Sequence, residues 1–520
     1  MSPESPLPIN AWWTMTTTAV ADLRRASEFG VNMLIIENDC RVEWNRLLDG
    51  LAAYDFDDDL RREGDRRTNV ERFRRRFREI CTAAEERGVS THIMCPEIDV
   101  PPGFQITSAA DPRLWRLVRE RLREIFRALP GLGGFVLYLC EGQREVFDLP
   151  GATEDPAGAV KRLIGAVWEA CRAERRKLAV ATFIHRLPKL EAVCTALRSF
   201  PPHPDFAVLQ YCCPSDWGLY ALMNPAIGKV GGHPEILGFD YAAENWGQGA
   251  HPFVHADFMV RRFREARALG SRLVGIAGYV AWYGKSVLGT LNEANVWAGS
   301  VLAREPPAAD LLHDWCGRRF GPEAAGTARR CLARTHPAVF KAQHVFDYWL
   351  DTGEKSGLPS VAELDEYFIG DFFGESLAGW DPERADVWQS IRNPDDAFLT
   401  RMLEEKREAV DLCRRSLKEL RADRAAFSAE DFDLLERAFV FQELWARTWK
   451  AAVHAFFLWQ MIRRGDRSRG RLSALTGVLA ALAACANELE KTFGVDVFPR
   501  GPGRIRDFIK DIRSSVSALQ

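Results

Sequence analysis

Acidic, amide and aromatic side chains gather just after a series of short apolar runs in the first 300 residues. In chain order they are Trp12 and Trp13; Glu37, Asn38 and Asp39; Glu97 and Asp99; and Glu141, Gln143 and Arg144. They continue with His185 and Arg186; Gln210, Tyr211 and Asp216; Asp240, Glu244, Asn245 and Trp246; and Tyr279, Trp282 and Lys285. Carboxylates converging with tryptophans suit a sugar, because indoles cover pyranose CH faces while acids bond hydroxyls or move protons. Glu141 leaves an apolar run into a glycine turn, Leu139-Cys140-Glu141-Gly142-Gln143. Desolvation there would raise its pKa and suit a general acid; the competing reading is a structural acid bonded to loop amides. Asp240, in Gly238-Phe239-Asp240-Tyr241, and Glu244 just after it are the candidates for activating water.

The elements that must position these groups are eight short runs, each β-branched or aromatic. They are Ile9–Trp13, Asn32–Asn38, Ser90–Pro96, Gly134–Leu139, Leu178–Ile184, Phe206–Tyr211, Glu235–Tyr241 and Val274–Val280. Most are continuously apolar, as strands buried on both faces should be. Between them lie helical patterns such as Val70–Arg87, Pro112–Leu129, Ala157–Arg176 and Ala256–Leu269, with Gly30, Gly88 and Gly270 placed as C-caps. Eight βα units predict a (β/α)8 TIM barrel over residues 1–301, whose site lies at the C-terminal strand ends. Strands four and seven are three apart around such a barrel, so Glu141 and Asp240 would face each other across its mouth. That suits the separation of about 6.5–9.5 Å used by inverting glycosidases. From 302 to 520 the pattern is helical, including Asp396–Leu420, Ala429–Arg463 and Arg471–Phe493, and predicts an all-helical C-terminal domain.

Composition excludes several alternatives. The chain has 520 residues, 47% hydrophobic and 27% charged, with 69 basic and 72 acidic residues for a net charge of −3. No basic segment accompanies a nucleic-acid motif, so no nucleic-acid partner is expected. The apolar stretch Leu472–Ala486 falls short of the roughly 18–20 residues that span a bilayer, so no membrane partner is expected and a buried helix is. Met1-Ser-Pro-Glu-Ser-Pro has neither a basic nor an apolar leader region, and a cytoplasmic location is expected. The 12 cysteines include no C-x-x-C and are expected to be reduced. His92, Cys95 and Glu97 lack a second ligand pair, so no metal and no cofactor is expected. Gly278, Gly284, Lys285 and Ser286 imitate a phosphate loop, but five residues separate the glycines and three of them are aromatic. The expected partner is an oligosaccharide substrate, and a homodimer would form through the helical domain.

Four ordered segments resemble the family 67 α-glucuronidases. Asp111-Pro-Arg-Leu-Trp through Ile125-Phe-Arg-Ala-Leu-Pro-Gly-Leu-Gly-Gly-Phe-Val and Glu141-Gly-Gln resemble the "IP-x-x-GGF" strand and "SEGQ" turn of that family. Glu235-Ile-Leu-Gly-Phe-Asp-Tyr with Gly247-Gln248 resembles its "QITQEY-x-GQ" segment. Leu291-Asn-Glu-Ala-Asn295-Val-Trp-Ala-Gly, followed by Ala308 to Trp315, resembles its "LAQANLYAFG" helix entry. The resemblance implies a barrel glycosidase with Glu141 as general acid, Asp240 as one of two acids that activate water, and Trp12 or Trp13 against the sugar. The chain departs from the family at its uronate-binding lysine, replaced by Tyr138, and its arginine, replaced by Thr182 or a neighbour. The family's strand-six aspartate falls near Val208, and its separate N-terminal domain has no counterpart before strand one. Arg144, Arg186 and Lys285 are the candidate substitutes for binding a sugar carboxylate.

Overall fold

The computed structural model describes residues 6–37, 47–96, 98, 100–101, 103–140, 144–214, 222–246, 251–282, 284–304, 310–349, 358–365, 379–494 and 501–519. Eight parallel strands close in sequence order into a barrel, as the eight apolar runs predict. They are β1 (Ile9–Met15), β2 (Met33–Glu37), β3 (Ser90–Pro96), β4 (Leu132–Tyr138), β5 (Lys177–Ala181), β6 (Phe206–Tyr211), β7 (Glu235–Phe239) and β8 (Leu273–Tyr279). Closure is carried by β1 pairing with β8, where Trp13 sits opposite Tyr279, and with β2, where Met15 sits opposite Glu37. The strands are buried along nearly their whole length because helices cover the outer face and side chains fill the inner one.

The barrel helices are α1 (Ala19–Leu23), α2 (Leu47–Leu51), α3 (Gly64–Glu85), α4 (Pro112–Ala128), α5 (Pro156–Ala173), α6 (Leu187–Arg198), α7 (Ala256–Ala268) and α8 (Glu293–Arg304). Their starts follow local chemistry. The Asp111 carboxylate accepts from the Arg113 N–H at 2.9 Å ahead of α4, and Pro112 fills a first-turn position whose N–H has no helical partner anyway. Asp155 and Pro156 repeat the device at α5. Gly30, Gly88 and Gly270 all have positive φ, as their C-cap positions require. The boundary expected at 301/302 falls inside the last turn of α8.

Beyond α8 come α9 (Leu311–Phe320), α10 (Pro322–Ala333) and α11 (Thr335–Gln343), then long helices at Asp396–Ala422, Ala429–Arg463, Arg469–Phe493 and Gly501–Leu519. A two-stranded hairpin, His344–Val345 with Tyr348–Trp349, interrupts the helical pattern. This region shares one continuous core with the barrel. Buried polar contacts fasten it to the segment between β7 and α7: the Val254 N–H donates to Thr335 Oγ1 at 2.8 Å, and Gln442 Nε2 donates to the Pro252 carbonyl at 2.9 Å. His251 packs on Trp445 in the same seam. The helix Arg469–Phe493 is longer than the apolar stretch Leu472–Ala486 and passes the length and composition test for a membrane span. One face of it, Leu475, Leu479, Leu482, Cys485, Ala486 and Leu489, is buried.

Candidate active site

Inward-facing aromatics form a row across the C-terminal end of the barrel. On β1 the Trp13 indole stacks on Tyr279 of β8 with centroids 3.8 Å apart, and Tyr211 of β6 meets it edge-on at 5.6 Å. Phe183, just past β5, tilts against Tyr211 at 5.2 Å and stacks on Tyr138 of β4 at 4.9 Å, while His185 approaches Phe183 edge-on. Such pairs add about 0.5–1.5 kcal/mol each beyond the area they bury, so the rings hold one another in a continuous wall. Against it stands Glu37 at the end of β2. Trp13 Nε1 and the Tyr279 hydroxyl both donate to Glu37 Oε2, at 2.8 and 2.7 Å. Two donors on one oxygen fix the orientation of a carboxylate that is 6% exposed, and supply part of the solvation it gave up.

Between β6 and β8, β7 ends at Phe239 and Asp240 opens a tight turn. Asp240 and Glu244 are each 2% exposed, and Asp240 Oδ2 accepts from the Glu244 N–H at 2.7 Å. Ala243 turns the chain through a left-handed conformation, φ 56°, which is uncommon for a residue with a Cβ. The carboxylate of Asp240 is thereby tied to the backbone of its own turn.

The structure brings Trp13, Glu37, Tyr211, Asp240, Glu244 and Tyr279 to the C-terminal end of the barrel, and it corrects three other sequence expectations. Trp12 has the opposite strand parity to Trp13 and packs outward on Phe29 at 5.4 Å, behind the wall. Gln210 likewise alternates with Tyr211. Its Nε2 donates to Glu235 Oε2 at 2.8 Å and to the Ala226 carbonyl at 3.2 Å, and its Oε1 accepts from Thr182 Oγ1 at 2.8 Å. Trp246 is carried by the turn into the seam with the helical region, where it stacks on Phe253 at 5.1 Å and near His344. Arg144, Arg186 and Lys285 are exposed, Arg186 as the residue preceding α6 and Lys285 in a short hairpin with Ala281–Trp282. Glu141, Asn38, Asp39, Glu97, Asp99, Gln143, Asp216 and the side chain of Trp282 lie outside the described residues.

Sequence reasoning missed Phe183 and Trp380. Phe183 belongs to a run that is apolar at both parities, which hides which residues face inward. Trp380 comes from the helical region, and its indole N–H donates to the His185 carbonyl at 3.3 Å, bringing a distant segment to the end of β5.

Gln210 gives a direct check of this sorting. Gln210→Ala removes a donor from Glu235, itself 2% exposed, and should lower stability by about 2–4 kcal/mol while leaving the KM of the folded enzyme unchanged. Urea unfolding beside steady-state kinetics would show it. A raised KM at unchanged stability would put Gln210 back in the site.

No family model matches the chain, and no curated protein matches it. Solved structures do. A GH138 enzyme targeting pectin rhamnogalacturonan II superposes with a TM-score of 0.62 at 12% identity over 99% of this chain and 68% of that one. The GH115 4-O-methyl-α-glucuronidase BtGH115A, with specificity for decorated arabinogalactans, gives 0.47 at 8% identity over 96% of this chain and 60% of that one. An O-GlcNAc hydrolase mutant from Thermobaculum terrenum gives 0.43 at 11% identity over 99% and 96%. These structural neighbours are glycoside hydrolases, and the likeness to the GH138 enzyme establishes a shared architecture of closed barrel and helical region.

Proposed function

We propose that the chain is an exo-acting, inverting glycoside hydrolase that removes an α-linked uronosyl or related sugar from an oligosaccharide. The observation that carries this reading is the pairing of buried acids, Glu37, Asp240 and Glu244, with an aromatic wall at the one end of a (β/α)8 barrel where such sites form. In this reading Glu141, three residues past the end of β4, protonates the departing glycosidic oxygen. Asp240 takes a proton from the attacking water, with Glu244 as the alternate base. Glu37, held by Trp13 and Tyr279, orients a sugar hydroxyl.

A second reading, a neutral-sugar glycosidase, is favoured by the exposure of Arg144, Arg186 and Lys285. A carboxylate bound out of water needs a buried cation partner. Matched aryl α-uronosides and α-hexosides separate the two. The uronosyl reading expects kcat/KM for the uronoside to exceed that for the hexoside by about 10–100-fold, the worth of one charge-assisted pair. Equal rates would leave no carboxylate clamp and assign the pocket to neutral sugars. Hydrolysis of neither, with retained glycan binding, would make the barrel a binding module.

A further inference from the structure

Two of the segments that carry the family resemblance, Glu235–Tyr241 and Leu291–Gly299, interlock directly behind Asp240. Tyr241 is 1% exposed, and its ring occupies a slot between Gly278 of β8 and Gly299 of α8. A Cβ at Gly278 would overlap the ring carbons, and a Cβ at Gly299 would overlap the hydroxyl. The hydroxyl has no hydrogen-bond partner among the described residues, so shape alone holds this side chain. The backbone is held as well. Asn295 Nδ2 donates to the Tyr241 carbonyl at 3.4 Å and the Phe253 carbonyl at 2.8 Å, and its Oδ1 accepts from the His255 N–H at 2.9 Å. Asn292 Oδ1 accepts from the Phe253 N–H at 2.8 Å. Both ends of the segment that bears Glu244 and left-handed Ala243, directly after Asp240, are therefore anchored to α8 and to Asn292 just before it.

We propose that Tyr241, wedged between Gly278 and Gly299 and tied by Asn295, is the positioning residue that sets the direction of the Asp240 carboxylate. It rests on the reading of Asp240 as the base, and Tyr241 acts through Asp240. Glycine inside a helix or strand is ordinarily unfavourable relative to alanine. Here both glycines are required because the ring fills the volume a methyl group would take. Gly278 thus belongs to this slot, which accounts for the glycine that imitated a phosphate loop in the sequence.

The test uses the full chain and the variants Gly299→Ala, Tyr241→Phe, the double variant, and Asn295→Ala. Kinetics are read on whichever aryl glycoside the wild type hydrolyses, with hydrogen exchange of the amides from 240 to 246. Gly299→Ala should lower kcat by about 10–100-fold, since misplacement of a reacting group by about 1 Å costs that much, with KM unchanged. Tyr241→Phe still fills the slot and should keep the wild-type kcat. Combined with Gly299→Ala it should recover part of the loss, because the overlapping hydroxyl is gone. The Glu244 amide, which donates to Asp240, should exchange faster in Gly299→Ala and in Asn295→Ala. A folded Gly299→Ala with wild-type kcat and wild-type protection would overturn the proposal. If Gly299→Ala does not fold, Asn295→Ala carries the same two readouts, and wild-type values for both would overturn the proposal equally. If the wild type hydrolyses no glycoside, it is the proposed function that fails, and the exchange comparison alone decides whether the interlock orders the turn.

Discussion

Asp240→Asn is expected to lower kcat by about 10²–10⁴-fold on activated and unactivated glycosides alike, the usual loss for a general base. The substitution is close to isosteric, and the amide oxygen still accepts from the Glu244 N–H, so the fold and KM should hold. Glu141→Gln should behave differently. An activated aryl leaving group needs little protonation, so its loss should be small there and large on a sugar leaving group. The contrast between the two variants across the two substrate types identifies base and acid. An Asp240→Asn enzyme with wild-type kcat would move the base elsewhere, Glu244 being next in the same turn.

Acidification should produce the second large effect. His92, His251, His255 and His344 are buried and held neutral: burial pulls them down to about 3, 4, 3 and 3, and the Lys406 charge adds to the effect at His344. In the unfolded chain each titrates near 6.5. Above that pH both states carry neutral imidazoles and the shift costs nothing. Below it the unfolded chain takes up protons that the folded one refuses, so stability falls as pH drops from about 6.5 toward 4. Each histidine contributes about 1.4 kcal/mol per pH unit, or about 5.5 kcal/mol per pH unit for the four. Domain stabilities are about 5–15 kcal/mol, so unfolding should be complete within roughly two units. Three of these histidines line the seam between barrel and helical region, close to Trp246 and Trp445, so tryptophan fluorescence should report the opening. Urea unfolding across pH 5–7 should give an uptake of at least about three protons near pH 5. An uptake below one would show that the imidazoles charge freely in the folded state.

The barrel was legible because its strands are buried on both faces. The strand runs Ser90–Pro96 and Phe206–Tyr211 and the helical stretch Ala429–Arg463 read with the same limits the structure gives. That same uniformity concealed the site. In a run such as Ile-Asn-Ala-Trp12-Trp13 both parities are buried, so nothing local tells the inward indole from the outward one. Gln210 was misplaced because a polar residue at a strand end suggests a ligand contact, whereas here it satisfies Glu235 and Thr182. Trp380 reaches the His185 carbonyl across 195 positions, a contact no local pattern announces. The glycines at 278 and 299 were visible, but their meaning depends on a ring brought in from β7.

The central claim, hydrolysis of a glycoside at Asp240, is tested most directly by proton NMR of the anomeric region as purified protein acts on an α-linked substrate. The wild type should release a free sugar that appears first as the β-anomer, and Asp240→Asn at the same concentration should release none on that timescale. Absence of free sugar from the wild type, or equal release by Asp240→Asn, would contradict it.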